Sequence, residues 1–164
     1  VKIRLLLIYP TKLANSKGFQ QIIWTDSNEH KYIEECGTMN IFFRIGDKLI
    51  TPSISDSILN GITRDSIITL AKDFGIDVEE KKVLVSDIVE AYKSGDLKEV
   101  FGTGTAVAVS SIASITFNNE KMILPICNDS FALKLKNQLQ SIQRGKVEDL
   151  YGWTVKVAKQ IAFS

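Results

Sequence analysis

The chain has 164 residues, of which 45% are hydrophobic and 24% charged, and its formal net charge at pH 7 is +1. This length suits one domain that buries most of its apolar surface, or one half of a larger protein, and the charge gives no indication of a nucleic-acid or membrane partner. Two cysteines without metal-ligand spacing and a single histidine predict no metal site and favour a reducing, cytoplasmic compartment.

Hydrophobic periodicity, together with glycine and proline positions, predicts the elements of the chain in order. They are a helix end or short helix at 10–15 that closes at Gly18, a strand at 20–24, an extended segment at 32–45, a hairpin partner at 48–51, a helix from Thr63 to Gly75, an exposed strand at 78–85, a helix from Ser86 to Gly95, a strand from Leu97 to Phe101, a turn at Asn118-Asn119, a strand at 121–125 and a helix at 130–144. No repeat or linker divides them, so we expect one domain.

A hexapeptide of small residues lies at 101–106, with the sequence Phe-Gly-Thr-Gly-Thr-Ala, and an apolar run follows it. Its backbone N–H groups and hydroxyls can converge on an anion such as a phosphate. The alternative is a glycine-rich bulge or turn that enters a buried strand. The hexapeptide alone leaves both interpretations open.

Two adjacent carboxylates, Glu34 and Glu35, lie within the extended segment. Side chains alternate across a strand, so one of the two should face inward, where it needs a partner or a positively charged ligand. The alternative is a pair of surface glutamates at a strand edge.

The entrance of the helix near residues 61–63 is a second candidate anion site. Gly61 and Thr63 stand where free N–H groups and the positive end of the helix dipole meet. The commoner explanation is an ordinary helix start with Thr63 as N-cap.

Together, Glu35, the helix entrance and the hexapeptide suit a molecule with a phosphate at one end and a protonatable ring nitrogen at the other. Pyridoxal phosphate has this shape, and a carboxylate against its pyridine nitrogen keeps the ring protonated. The three sites therefore predict pyridoxal phosphate as a cofactor. A nucleotide-binding module built on Gly102 and Gly104 is disfavoured, since strand, glycine turn and helix do not follow in the required order.

The chain resembles the branched-chain amino acid aminotransferases, which are pyridoxal-phosphate enzymes of fold type IV. The resemblance rests on the runs at 35–43, 61–64, 101–106, 142–146 and 152–153, in the family's order, and extends from about Pro10 to Val157. It covers only the C-terminal large domain. It implies an α/β fold like that of D-amino acid aminotransferase, with mixed, mostly antiparallel strands in a pseudo-barrel flanked by helices, and a homodimer.

The resemblance also implies a role for individual residues and a reaction. Glu35 would pair with the pyridine nitrogen, Leu59 would pack on the ring, the main-chain N–H groups of Ile62 and Thr63 and the hydroxyl of Thr105 would hold the phosphate, and Thr38 and Ala106 would lie near the substrate. The implied reaction exchanges an amino group between leucine, isoleucine or valine and 2-oxoglutarate.

The first nine residues depart from the family pattern, in which a Lys-x-x-Gly-Asn-Tyr run precedes Pro10. Lys2 is the only lysine before Pro10, and it stands about three residues too close to it, yet it is the one candidate for covalent attachment of the cofactor. We therefore expect an altered or truncated segment at 1–9, the aminotransferase large domain at 10–164, and no small domain. The alternative function is an inactive remnant that binds pyridoxal phosphate or a protein partner.

Overall fold

The computed structural model describes the backbone of residues 2–125 and 129–157, and the side chains of these ranges from residue 8 onward. The helices are α1 (Lys2–Ser16), α2 (Ile62–Asp73), α3 (Val85–Ser94) and α4 (Phe131–Gln143). The strands are β1 (Ile23–Thr25), β2 (Tyr32–Cys36), β3 (Asn40–Ile45), β4 (Lys48–Pro52), β5 (Asp77–Lys81), β6 (Val83–Leu84), β7 (Leu97–Gly104), β8 (Ala108–Ser111), β9 (Ser114–Phe117) and β10 (Glu120–Ile123).

The strands of the described ranges form one central sheet and two smaller ones. The central sheet has the order β5-β4-β3-β7-β8, in which only the β4–β5 pair is parallel. A second sheet has the order β1-β2-β6, and β9 pairs with β10 through the predicted Asn118-Asn119 turn, where both residues have positive φ. This confirms the predicted α/β class with mixed, mostly antiparallel strands. The sheets are open, and no closed barrel forms among the described residues.

Two hydrophobic clusters cover the two faces of the central sheet. On one face Phe42 of β3 stacks on Phe101 of β7 with ring centroids 5.2 Å apart, and α2 and α4 pack against this pair. On the other face Ile41 and Phe43 pack with residues of β2, β6 and α3. Strand β3 is buried on both faces, which explains its continuous apolar run in place of an alternating one.

The predicted extended segment at 32–45 is wrong as a single element. Gly37 has φ of +60°, and the chain reverses between Cys36 and Met39, which form an isolated bridge. Strand β2 therefore joins the small sheet, whereas β3 joins the central one. Glycine permits this backbone conformation at low cost, and the apolar pattern on either side gives no sign of it.

Two predicted helices begin earlier than their predicted first residues, Thr63 and Ser86. Gly61 caps α2 and Leu84 caps α3, both without a side-chain hydrogen bond, so Thr63 and Ser86 lie inside the first turns. Ser130, at the predicted start of the last helix, is the N-cap of α4, and its Oγ accepts a hydrogen bond from the Leu133 amide at 3.2 Å. Gly95 closes α3 in the left-handed conformation as expected.

No helix within residues 2–125 and 129–157 combines the length and the apolar character that crossing a lipid bilayer requires.

A charged network that the sequence did not reveal attaches α4 to the central sheet. Glu99 of β7 lies opposite Arg44 of β3, and its Oε1 accepts hydrogen bonds from Arg44 at 3.0 Å and from the Phe131 amide at 2.9 Å. Its Oε2 accepts from the Ala132 amide at 2.9 Å. One carboxylate therefore neutralises a neighbouring cation and satisfies two N–H groups at the positive end of α4.

Replacing Glu99 with alanine should lower the free energy of unfolding by about 2–4 kcal/mol, because Arg44 and two amides lose their shared acceptor. Urea unfolding followed by circular dichroism measures this. The matched control is Glu29→Ala, which removes an exposed pair with Lys31 and should cost less than about 1 kcal/mol. Equal losses in the two variants would contradict the role given to Glu99.

Candidate functional site

The candidate site forms where the start of β3 meets the end of β7. The antiparallel register places Asn40 opposite Thr103 and Ile41 opposite Gly102. The segment that follows Glu35 is thereby brought beside the Gly-Thr-Gly-Thr hexapeptide, from which it is separated by more than sixty residues of sequence. Two of the three predicted parts of the site lie at one end of the central sheet.

Asn40 links these parts to the third one. Its side chain is 6% exposed, and its Nδ2 donates to the Leu59 carbonyl at 2.8 Å and to Glu35 Oε1 at 3.4 Å. Glu35 Oε1 also accepts a hydrogen bond from the Leu59 amide at 3.0 Å. The sequence analysis missed Asn40, although a polar residue at the head of the apolar run Ile-Phe-Phe was a usable signal.

Gly61 brings the entrance of α2 against Asn40. A Cβ at residue 61 would lie 2.4 Å from Asn40 Oδ1, so a side chain cannot be added without displacing the asparagine. The first main-chain bond of the helix runs from the Asp65 amide to the Gly61 carbonyl, at 3.0 Å. The N–H groups of Ile62 and Thr63 precede it and lie outside the helical ladder, at the positive end of the dipole. This end can accept an anion.

The carboxyl group of Glu35 is only partly enclosed. Burial raises its pKa above the ordinary value, the Leu59 amide opposes that shift, and the charge of Glu34 adds to it. Oε1 holds both hydrogen bonds, and Oε2 accepts none from any residue that the structure describes. Glu34 differs, because its carboxylate accepts a hydrogen bond from Ser57 at 2.6 Å. Glu35 is therefore the member of the pair that can face a positively charged ring nitrogen.

The hexapeptide at 101–106 contains no bulge, but its end enters a turn that leads into β8, so of the alternative interpretation the bulge is wrong and the turn is confirmed. Gly102 pairs with Ser110 and Gly104 with Ala108 in unbroken register. Gly102 leaves room for the end of the Met39 side chain, since a Cβ there would lie 2.8 Å from Met39 Cε and 3.0 Å from its Sδ. Only residues 105–107 form a turn, and Thr105 and Ala106 are exposed in it.

Thr103 carries an unpaired hydroxyl at this end of the sheet. Its side chain is 1% exposed, and Oγ1 finds no hydrogen-bond partner among the described residues. Leaving such a group unpaired costs about 1–3 kcal/mol, so its presence opposite Asn40 marks a place where a further polar partner fits.

The predicted site residues are thus brought together to different degrees. Glu35 and Leu59 are in direct contact, and Gly61 places Ile62 and Thr63 beside them through Asn40. Thr38 approaches the end of β7, because its carbonyl would lie 3.9 Å from a Cβ at residue 104, and Thr105 and Ala106 follow directly.

Lys2 begins α1, but its side chain lies outside the described residues. Among the side chains that are described, no group of three His, Cys, Asp or Glu residues is placed to hold a metal.

This donor set fits pyridoxal phosphate. It offers a carboxylate with one open oxygen, the amide groups of a helix entrance, and the hydroxyls of Thr103 and Thr105. A protonated ring nitrogen suits the first, and a phosphate suits the others.

Comparison with known proteins points to the same chemistry. Residues 3–115 match the family model described as amino-transferase class IV. Branched-chain-amino-acid aminotransferase 2 of Bacillus subtilis is 44% identical over 150 residues, which cover 90% of this chain and 41% of that protein. The chain therefore spans less than half the length of the curated relatives that it matches.

Solved structures share the fold. The branched-chain amino acid aminotransferase of Escherichia coli superposes with a TM-score of 0.75 at 30% identity, over 91% of this chain and 47% of that one. An aminotransferase from Brucella abortus bound to the cofactor PLP gives a TM-score of 0.64 at 26% identity, over 79% of this chain and 41% of its own. With a family model matched over more than two thirds of its length and with fold type IV enzymes as its structural neighbours, the chain belongs to the class IV aminotransferases.

Proposed function

We propose that this chain forms the large-domain part of a pyridoxal-phosphate site that transfers an amino group between leucine, isoleucine or valine and 2-oxoglutarate. The observation that carries the proposal is the meeting of Glu35, the entrance of α2 and the end of β7 around Asn40. The names of the relatives support the substrate class, since the matched proteins of Bacillus and Escherichia are branched-chain aminotransferases.

Each side chain has a defined task in this proposal. Glu35 presents its open oxygen to the pyridine nitrogen and holds a proton there, and Leu59, which is 72% exposed, offers its apolar surface to the ring face. The amides of Ile62 and Thr63 bind the phosphate together with the Thr105 hydroxyl. When bound, the cofactor supplies the electron sink that the transfer of an amino group needs.

The substrate end of the site belongs to Thr38 and Ala106. Thr38 is exposed where the chain enters β3, and the Ala106 amide lies in the exposed turn after β7, suitable for a carboxylate. Enclosing the aliphatic side chain of the substrate would contribute about 1.5–3 kcal/mol, which supports a preference for leucine, isoleucine and valine. We propose that a homodimer provides the remaining walls of the site.

Residues 1–9 motivate a second candidate function, an inactive remnant that binds pyridoxal phosphate or a protein partner. These residues lack the family's Lys-x-x-Gly-Asn-Tyr run, so Lys2 is the residue proposed to attach the cofactor covalently, ahead of a large domain at 10–164. Without a lysine in reach, the site would bind the cofactor and lack the base that moves the proton.

Adding pyridoxal phosphate to the purified chain should produce a saturable change in visible absorbance. If Lys2 attaches the cofactor, borohydride reduction should add its mass to the peptide that contains Lys2, and Lys2→Ala should abolish that adduct. Lys12→Ala is the matched control, because Lys12 lies in the same helix and should leave the adduct intact. Reversible binding without an adduct, and without turnover of leucine and 2-oxoglutarate, would favour the inactive remnant. No binding at all would refute both functions that use the cofactor and leave only a remnant that binds a protein partner.

Replacing Glu35 with glutamine should weaken binding of pyridoxal phosphate at least tenfold, about 1.4 kcal/mol, because the positive ring nitrogen loses its counter-charge.

The same replacement should raise the free energy of unfolding of the chain without cofactor. Burial raises the pKa of Glu35 in the folded chain, so its charge lowers the free energy of unfolding at pH values above that raised pKa and has no effect below the unfolded value. Glutamine should therefore stabilise the chain at pH 7, and the gain should disappear at about pH 3.

Urea titrations at the two pH values and equilibrium binding of the cofactor test this expectation. Glu34→Gln is the matched control, since the neighbouring carboxylate interacts with Ser57 and should change the affinity by less than about twofold. Equal loss of affinity in both variants would contradict the assignment of Glu35 to the ring nitrogen.

A further inference from the structure

We propose that Asn40 is a positioning residue that locks Glu35 and the entrance of α2 into one geometry, so that both ends of pyridoxal phosphate are held together. This inference rests on the proposed function and goes beyond it, because Asn40 itself does not have to touch the cofactor. The carboxamide acts through Glu35 at the ring end and through Gly61 at the phosphate end.

The hydrogen bonds of Asn40 fix the ring end of the site. Its Nδ2 donates to the Leu59 carbonyl at 2.8 Å and to Glu35 Oε1 at 3.4 Å. The Leu59 amide donates to the same Glu35 oxygen at 3.0 Å. With both donors on Oε1, that oxygen is held in place, and Oε2 is left without a partner among the described residues. The side chain of Asn40 is itself 94% buried, since only 6% of its surface is exposed, so it cannot exchange these partners for water.

Steric contact fixes the phosphate end. Asn40 Oδ1 occupies the space of a Cβ at residue 61, at 2.4 Å, so the backbone at the entrance of α2 lies directly on the carboxamide. The helix cap has no side-chain hydrogen bond of its own. Asn40 thus takes the place of a cap residue as the contact that locates the first turn.

The central sheet holds Asn40 in turn. The residue pairs with Thr103 in the antiparallel ladder, and Ile41 and Phe42 behind it are completely buried. A rigid strand therefore supports a side chain that contacts two loops. Such preorganisation matters because a ligand that is bound at two ends gains affinity only when the two subsites stand at the correct separation beforehand.

Hydrogen exchange of the chain without cofactor tests the positioning directly. In Asn40→Ala the Leu59 amide, which donates to Glu35, should exchange at least tenfold faster than in the unaltered chain. The matched control is Thr51→Val, which removes a buried hydrogen bond of the same 2.8 Å length, to the Ile41 carbonyl, outside the site. A general loss of stability would accelerate exchange equally in both variants and would overturn the proposal.

Binding of the cofactor supplies the second readout, followed by the tryptophan fluorescence of a Trp153→Phe background, which leaves Trp24, whose indole donates to the Gly37 carbonyl beside the site. Asn40→Ala should lose at least tenfold in affinity for pyridoxal phosphate, whereas its affinity for inorganic phosphate should change by less than twofold. In the Glu35→Gln background the same replacement should cost less than in the unaltered chain, because the part of its effect that acts through the carboxylate is already lost. If the double variant loses affinity by the product of the two single losses, the proposal is overturned.

Gly61→Ala provides an independent variant in case Asn40→Ala does not fold. Residue 61 has φ of −74°, which alanine adopts without strain, so its effect should come from the clash with the Asn40 carboxamide and should accelerate exchange of the Leu59 amide as Asn40→Ala does. Unchanged exchange of the Leu59 amide in Gly61→Ala would overturn the positioning role. Failure of the unaltered chain to bind pyridoxal phosphate would instead refute the proposed function, and with it the use assigned to Asn40 in binding.

Discussion

The antiparallel pairing of β3 with β7 is the constraint on which the rest of the structure depends. It stacks Phe42 on Phe101 in one core, sets Arg44 against Glu99 where α4 begins, and places Asn40 opposite Thr103 at the candidate site. These three pairs lie along one face of the same ladder, since side chains alternate with a period of two. A slip of one residue would turn all of them to the other face, so packing, helix attachment and site geometry share a single register.

The residues at the site are arranged at some cost to the stability of the chain. Glu35 is partly buried with an open oxygen, the Thr103 hydroxyl has no partner among the described residues, and Leu59 and Ile62 expose 72% and 82% of their surfaces. Glu99 differs from Glu35, because both of its oxygens accept hydrogen bonds, from three donors in all. An open carboxylate, an unpaired hydroxyl and exposed apolar side chains brought together around Asn40 are typical of a ligand site.

The parts of the candidate site that the sequence suggested are those whose signals are local. Glu35, the helix entrance at residue 61 and the hexapeptide each have a signature within a few residues, and most elements were placed correctly. Asn40 was missed because its importance depends on Leu59, nineteen residues away, and on a steric contact with Gly61. The reversal at Gly37 and the attachment of α4 through Glu99 were missed for similar reasons, because neither a positive φ nor a cross-strand contact has a periodicity that a sequence displays.

The long separation between β3 and β7 has a consequence for how the protein acquires its site. Arg44 and Glu99 are 55 positions apart, and every contact along this ladder requires closure of a loop of similar length. Such non-local contacts form slowly, because the entropy of loop closure is lost before the contacts stabilise the chain. Asn40 and Thr103 therefore meet only in chains that have completed the central sheet, and a partly folded chain with native helices would still lack the site. A chain that binds the ligand has therefore completed the folding of its central sheet.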